Sequence, residues 1–287
     1  MDPLHLGEHV QAARIAAGLT QQQLCEQSGL SYSTLAKIER GAIKSPSIFT
    51  IGQIAQILGI SIEELLQSKQ VATSTAPSEG DKTREKLKST PIEFVYSDIN
   101  GVLVRFYQQA FAALAHDTNQ LLDLVEQVFW RYNDAVCRGV LTEQELNKAL
   151  AEALGVPKLD YRPYYIEAVE PITIVHEFLA KVIKRKPVGL LSNIFPGYIE
   201  ALKQAGKIPD LPYKTVVDSS VVGVIKPDRR IFEIAEEQAG VSGEKILFID
   251  DSRANIVAAQ QFGWRCIWFD SYHPEESVAD IERVLAS

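Results

Sequence analysis

The 287 residues are 46% hydrophobic and carry a net charge of −8, a length that suggests two domains and an apolar content ample for two packed cores. No apolar run reaches the roughly eighteen residues that cross a bilayer, the start MDPLHLGEHV lacks the basic-then-apolar order of a secretory signal, and Cys25, Cys137 and Cys266 stand far apart without a CxxC or Cys/His spacing. An apolar membrane-spanning run is absent, neither a disulfide framework nor a zinc site is indicated, and a soluble cytoplasmic protein with reduced thiols is expected.

The first element is a run of short amphipathic stretches, with turn signals at Gly18, Gly29, Gly41 and Gly59. The spacing predicts helices at about 4–17, 20–28, 31–40, 47–58 and 61–67, capped by Thr20, Ser31, Ser47 and Ser61, the last forming a capping box with Glu64. Residues 1–70 thus read as an all-α domain of five helices. They hold five Lys/Arg against six Asp/Glu, so any contact with nucleic acid must come from a few placed cations and not from a basic field.

Within this domain the stretch LTQQQLCEQSGLSYSTLAKIERG, Leu19 to Gly41, is a helix, a glycine turn and a second helix. It resembles the Xre/Cro family of helix-turn-helix proteins, and the likeness runs on through SPSIFTIGQIAQILGISIEELL. In physical terms Leu24, Leu35 and Ile38 face the core, and Cys25 fills a small-residue site at a helix crossing. Tyr32, Ser33 and Lys37 then lie on the outer face of the second helix, free to enter a major groove. The resemblance implies base-edge contacts from Tyr32, Ser33 and Lys37 and phosphate contacts from Gln21, Arg40 and Lys44. Lys37 can reach guanine acceptors, whereas Ser33 discriminates weakly. The same resemblance implies an internal ion pair between Arg14 and Glu39. So few cations on one domain call for a homodimer on a two-fold double-stranded DNA operator.

Residues 71–90, VATSTAPSEGDKTREKLKST, hold almost no large apolar side chains and cannot bury enough surface to order themselves. We read 71–91 as a flexible linker that spans roughly 25 Å as a coil, with room for a short helix near 81–88.

From residue 92 the pattern changes. The runs IEFVYSD, PVGLLS, KTVVDS, KILFID and RCIWFD alternate with helical stretches, which predicts a parallel sheet with crossover helices over 92–287. A helical insertion at about 106–170 interrupts it after the first strand. Residues 92–287 hold 20 Lys/Arg against 28 Asp/Glu, so the acidic surplus sits where carboxylates can serve a metal.

Four motifs stand at or beside strand ends. They are FVYSDINGVL ending its strand at Asp98, VGLLSN with Ser192 and Asn193, VGVIKPDRRIF with Lys226, and ILFIDDSRANIVAA with Asp250 and Asp251. A doubly wound sheet gathers its ligands at such carboxyl ends. These residues, in this order, resemble the haloacid dehalogenase (HAD) superfamily, which implies a Rossmann-like α/β core with the insertion as its helical cap. The resemblance implies that Asp98 is a nucleophile forming an aspartyl-phosphate, and that Mg²⁺ is held by Asp98, the Asn100 carbonyl, Asp251 and Asp250. Ser192, Asn193 and Lys226 would hold the phosphoryl oxygens. Arg105, with Phe129, Arg131 and Tyr132, is a candidate for lining the substrate pocket, whereas Trp130 and its aromatic neighbours read first as cap core.

One position departs from the family. Most of its phosphatases carry a second Asp two residues after the nucleophile, as acid and then base, and this chain has Asn100. An amide exchanges no proton at neutral pH, and the lost catalysis is about 10²–10⁴-fold. The leading reading is therefore a DNA-binding transcriptional regulator whose C-terminal domain binds, and at most slowly hydrolyses, a small phosphorylated metabolite with Mg²⁺. The alternatives are an active Mg²⁺-dependent phosphatase whose helix-turn-helix serves localisation or assembly, and a pure interaction protein.

Overall fold

A computed structural model describes residues 3–30, 32–40, 43, 46–62, 65, 90–105 and 108–286, in two compact units. The Ser31 cap, the Ser61–Glu64 box, the fifth helix and the linker before residue 90 lie outside the described residues. No helix among those described is long and apolar enough to cross a membrane.

The N-terminal unit contains α1 (Pro3–Ala16), α2 (Gln21–Ser28), α3 (Tyr32–Glu39) and α4 (Ile48–Leu58). Thr20 starts α2 with a capping box: its hydroxyl accepts from the Gln23 amide at 3.1 Å, and its own amide donates to Gln23 Oε1 at 2.8 Å. Two orphan backbone donors are thereby satisfied. Ser47 caps α4 in the same sense, accepting from the Thr50 amide at 3.1 Å. Val10, Leu24, Leu35, Ile38 and Ile54 form the dry centre, and Cys25 packs beside them. At the crossing of α1 and α3 a Cβ on Gly7 would lie 2.5 Å from the Ile38 carbonyl oxygen, so only glycine lets the two backbones approach.

A buried ion pair ties three of these helices together. Arg14 Nε and Nη2 donate to Glu39 Oε1 and Oε2 at 2.7 and 3.0 Å, and Arg14 Nη1 reaches the Leu19 carbonyl at 2.8 Å. Gln21 Nε2 donates to the same Glu39 Oε2 at 2.6 Å. The bidentate fork supplies geometry as well as charge.

The C-terminal unit is built on five parallel strands, β1 (Phe94–Ser97), β4 (Val188–Ser192), β5 (Thr215–Asp218), β6 (Ile246–Asp250) and β7 (Arg265–Trp268), in the order β5-β4-β1-β6-β7. All five are those expected from the sequence. The chain fills one side of β1 and then crosses to the other, so the topological switch lies at the carboxyl end of β1, where such sheets hold ligands. Tyr96, Phe232, Phe248 and Trp264 fill one side of the sheet. The helices α9 (Thr173–Val182), α10 (Tyr198–Gln204), α11 (Ser219–Val222), α12 (Arg229–Ala239), α13 (Arg253–Phe262) and α14 (Pro274–Ala286) complete this core.

Between β1 and β4 stand α5 (Gln108–Thr118), α6 (Leu122–Cys137), α7 (Glu143–Leu154) and α8 (Tyr161–Ala168). They are flanked by two strands the pattern did not reveal, β2 (Val104–Arg105) and β3 (Glu170–Pro171), paired antiparallel. Two-residue strands are too short for alternation to show. They form the stem on which the insertion leaves and rejoins the core.

Removing one partner of a buried pair strands the other charge, at a cost of about 3–5 kcal/mol. Glu39→Ala should lower the unfolding free energy of the N-terminal helices by an amount in that range, measured by denaturant titration followed by circular dichroism. A loss below about 1 kcal/mol, the level of an exposed pair, would mean that Arg14 and Glu39 do not hold the helices together.

Candidate active site

Four segments remote in sequence meet at the carboxyl edge of the sheet because β4, β1 and β6 are neighbours. Asp98 follows β1 directly; its Oδ1 accepts from the Ile99 amide at 2.7 Å, and its Oδ2 lies 2.9 Å from Lys226 Nζ. Lys226 Nζ also donates to Asp250 Oδ2 at 2.7 Å and to the Leu191 carbonyl at 2.8 Å. The ammonium, 2% exposed, thus has an acceptor for each of its three protons.

Asp250 ends β6 and is wholly buried. Beyond Lys226 it accepts from the Ser252 amide at 2.8 Å and from Asn255 Nδ2 at 3.0 and 3.1 Å. Burial pushes its carboxyl above the ordinary range, against the pull of Lys226. Burial also works against the Lys226 charge, but Asp250 and Asp98 outweigh it and hold the ammonium above its usual value.

Asp251 lies against the turn that follows Asp98. A Cβ on Gly101, whose φ is +84°, would fall 2.2 Å from Asp251 Cγ, so this glycine serves both the backbone turn and the approach of the carboxylate. Oxygens of Asp98, Asp250 and Asp251 lie within 4.8 Å of one another. Three carboxylates against one ammonium leave negative charge uncompensated, and an all-oxygen donor set of this kind suits a hard divalent cation such as Mg²⁺.

The remaining site residues divide by what their side chains touch. Ser192 ends β4 with its hydroxyl buried and without a hydrogen-bond partner, a polar atom that calls for a ligand. Asn193 does not present its amide to the site. Its Nδ2 donates to the Lys226 carbonyl at 2.8 Å and its Oδ1 accepts from the Lys226 amide at 2.7 Å, which clamps the backbone that aims the ammonium. Arg105, on β2, donates Nε to the Ser271 carbonyl at 3.0 Å and so braces the stem. Phe129 is buried and stands edge-on to half-buried Trp130, while Arg131 is exposed.

One partner was missed in the sequence. Tyr165, on α8, is 2% exposed and donates its hydroxyl to Asn100 Oδ1 at 2.8 Å. It joins the loop after β1 to the helical insertion. Nearby, Glu143 accepts from Tyr198 at 2.6 Å and from Arg162 Nε at 3.2 Å. No motif marks either contact, because a tyrosine in a helix reads as core until the facing residue is known.

In the N-terminal unit, Lys37 and Tyr32 on α3 are half-exposed and Arg40 is exposed. Tyr32 packs partly on the core, and Gln21 is engaged by Glu39. The Ser33 side chain and Lys44 lie outside the described residues.

Residues 92–263 match a family model described as haloacid dehalogenase-like hydrolase, and residues 10–65 match a helix-turn-helix model. The chain is 36% identical over 61 residues to the uncharacterized HTH-type transcriptional regulator y4dJ of Sinorhizobium fredii, across 21% of this chain and 78% of that protein. It is 30% identical over 84 residues to an (S)-2-haloacid dehalogenase of Pseudomonas fluorescens, across 29% of this chain and 37% of that enzyme. It spans 26% of the length of the drimenol cyclase drtB of Aspergillus calidoustus, so it covers well under half the length of that protein and of the dehalogenase. A HAD-family enzyme from Bacteroides thetaiotaomicron, solved as a magnesium complex, shares the fold with a TM-score of 0.56 at 20% identity, across 63% of this chain and 95% of that one.

A cation that binds the folded form alone stabilises it, by about 2.7 kcal/mol at a hundredfold excess over Kd. Millimolar Mg²⁺ should therefore raise the melting temperature of the C-terminal unit, and Asp251→Asn should remove the rise. An equal rise in wild type and variant would show that Asp251 holds no metal.

Proposed function

Because the chain belongs to the haloacid dehalogenase-like hydrolase family and carries a helix-turn-helix domain, we propose that it is a DNA-binding transcriptional regulator. In this reading its C-terminal unit binds, and turns over slowly, a small phosphorylated metabolite. The observation that carries it is the set of Asp98, Lys226 and the unpartnered Ser192 hydroxyl at one sheet edge, beside an amide where proton transfer is needed.

The chemistry follows from the atoms. Asp98 attacks phosphorus with a carboxylate oxygen, and the Ile99 amide holds the other oxygen in line. Ser192 would receive a phosphoryl oxygen, and Lys226 would receive another by turning to it the proton now directed at Asp98 Oδ2, in a buried setting where each interaction is worth more than in water. Asp98, Asp251 and the Asn100 carbonyl would hold Mg²⁺, which when bound neutralises phosphoryl charge. Asp250, with three donors making four hydrogen bonds to its two oxygens, acts chiefly by anchoring Lys226. Asn193 and Arg105 act through the backbone they brace.

The leaving group decides the rate. An alkoxide must be protonated as it departs, and neither the Asn100 amide nor its partner Tyr165, buried and with its pKa pushed upward, delivers a proton readily. A site of this kind retains ligand longer than it converts it, which suits an effector-binding domain. The alternative of a working phosphatase is favoured by the completeness of the Asp98–Lys226–Asp250 set.

On the DNA side, Lys37 would read a base edge while Arg40 and Lys44 hold phosphates, with Tyr32 and Ser33 beside Lys37 and Gln21 supporting the helix through Glu39. The near-neutral charge of the domain favours a homodimer on a two-fold operator, in the cytoplasm.

Two measurements test the two halves. Binding-site selection on the whole protein should yield an enriched motif, and Lys37→Ala should weaken that site by about 1–3 kcal/mol and relax its sequence preference; selection without enrichment ends the base-reading assignment. In phosphate-release assays Asn100→Asp should raise hydrolysis of alkyl phosphates by roughly 10–10³-fold, and Asp98→Asn should abolish it. Brisk wild-type hydrolysis that Asn100→Asp leaves unchanged would turn the reading to the working phosphatase.

A further inference from the structure

We propose that Asp98 is a phosphorylation switch, charged by a small acyl phosphate and slow to discharge because Asn100, held by Tyr165, stands where a base would have to act. The proposal rests on the phosphoryl-site reading above and adds the fate of the site after transfer.

Among the described residues, the groups that surround the Asp98 carboxylate leave no base to activate water. Lys226 is an ammonium with three acceptors and has no lone pair to offer. Asp250 is wholly buried, and its oxygens are already bound to Lys226, Ser252 and Asn255. Asp251 is, in the reading above, a ligand of the cation and so is not free to take a proton; its oxygen lies within 4.8 Å of those of Asp98 and Asp250. Asn100 offers an amide, whose Oδ1 is occupied by the Tyr165 hydroxyl. That hydrogen bond also fixes which way the amide faces: with Oδ1 turned to Tyr165, Nδ2 remains as a donor. A donor stabilises a phosphoryl oxygen but cannot take a proton from water.

The same lack selects the phosphoryl source. Asp98 attacks phosphorus, the bond from phosphorus to the acyl oxygen breaks, and the carboxylate departs with the electron pair. A carboxylate leaves unprotonated at neutral pH, so this step needs no acid, whereas an alkoxide would. One mixed anhydride is exchanged for another, and no proton or outside electron is required. Asp98 is only 6% exposed, which restricts the donor to small molecules.

The product has a built-in reader. Asn100 lies two residues beyond the modified Asp98 and is bonded to Tyr165 of α8, so a phosphoryl group accepting from Nδ2 bears on the contact between the loop and the helical insertion. A phosphoserine-like increment of negative charge at such a contact is a common way to bias a two-state element.

The test uses the full chain with Mg²⁺ and acetyl phosphate as the probe, read by intact mass. Wild type should gain the mass of one phosphoryl group, sensitive to hydroxylamine as an acyl phosphate is, and Asp98→Asn should gain none. After the donor is removed by gel filtration the wild-type adduct should persist, and Asn100→Asp should lose it roughly 10–10³-fold faster, the range of one acid–base group. Melting of the variant with Mg²⁺ checks that it is folded. A wild-type adduct that does not survive donor removal, or one that decays at the same rate in both proteins, overturns the switch. Steady phosphate release without an adduct overturns it while leaving the phosphoryl site standing. Neither adduct nor release with acetyl phosphate, together with no response to Mg²⁺, removes the phosphoryl-site reading as well.

Discussion

The buried ammonium of Lys226 is the interaction on which the C-terminal unit depends. A charge taken out of water costs several kcal/mol unless it is paired and fully hydrogen-bonded, and here the pairing comes from two different strand ends and the backbone of a third. Asp98 follows β1, Asp250 ends β6, and the Leu191 carbonyl belongs to β4. The lysine therefore reports whether the three central strands are in register. If β4 slipped by one residue relative to β1, Leu191 and Ser192 would exchange faces and the ammonium would lose an acceptor.

Arg14 and Glu39 do the same for the N-terminal unit on a smaller scale. The guanidinium satisfies Glu39 bidentately and the Leu19 carbonyl besides, which leaves few ways to pack α1, α2 and α3. In both units a buried ion pair picks one arrangement out of the several that hydrophobic burial alone would permit. In the second unit, however, the pair lies beside an unpartnered hydroxyl and a cluster of carboxylates. The charge imbalance that stability would avoid is what a phosphoryl group and a divalent cation would require.

Side chains that seem equivalent in a motif separate once the partners are known. Ser192 and Asn193 are adjacent, yet one hydroxyl is free and the other side chain is locked to the Lys226 backbone. Gln21 is shared with Glu39, so its amide supports the ion pair. Lys186, just beyond α9, donates to the Ile92 carbonyl at 2.6 Å and ties that helix end to the segment entering β1.

The sequence by itself determined the fold class: the four N-terminal helices within the described residues and the five parallel strands of the C-terminal α/β core. These signals are local or periodic. Caps, glycine turns and β-branched runs act within a few residues, and a strand-end carboxylate is placed by the strand before it. Only the tertiary structure decided what needs a partner from elsewhere. The β2–β3 stem pairs residues about 65 apart, and the Tyr165–Asn100 bond joins positions just as distant. Such contacts leave no trace in spacing, because a hydrogen bond across the fold constrains two atoms in space and nothing in the chain between them.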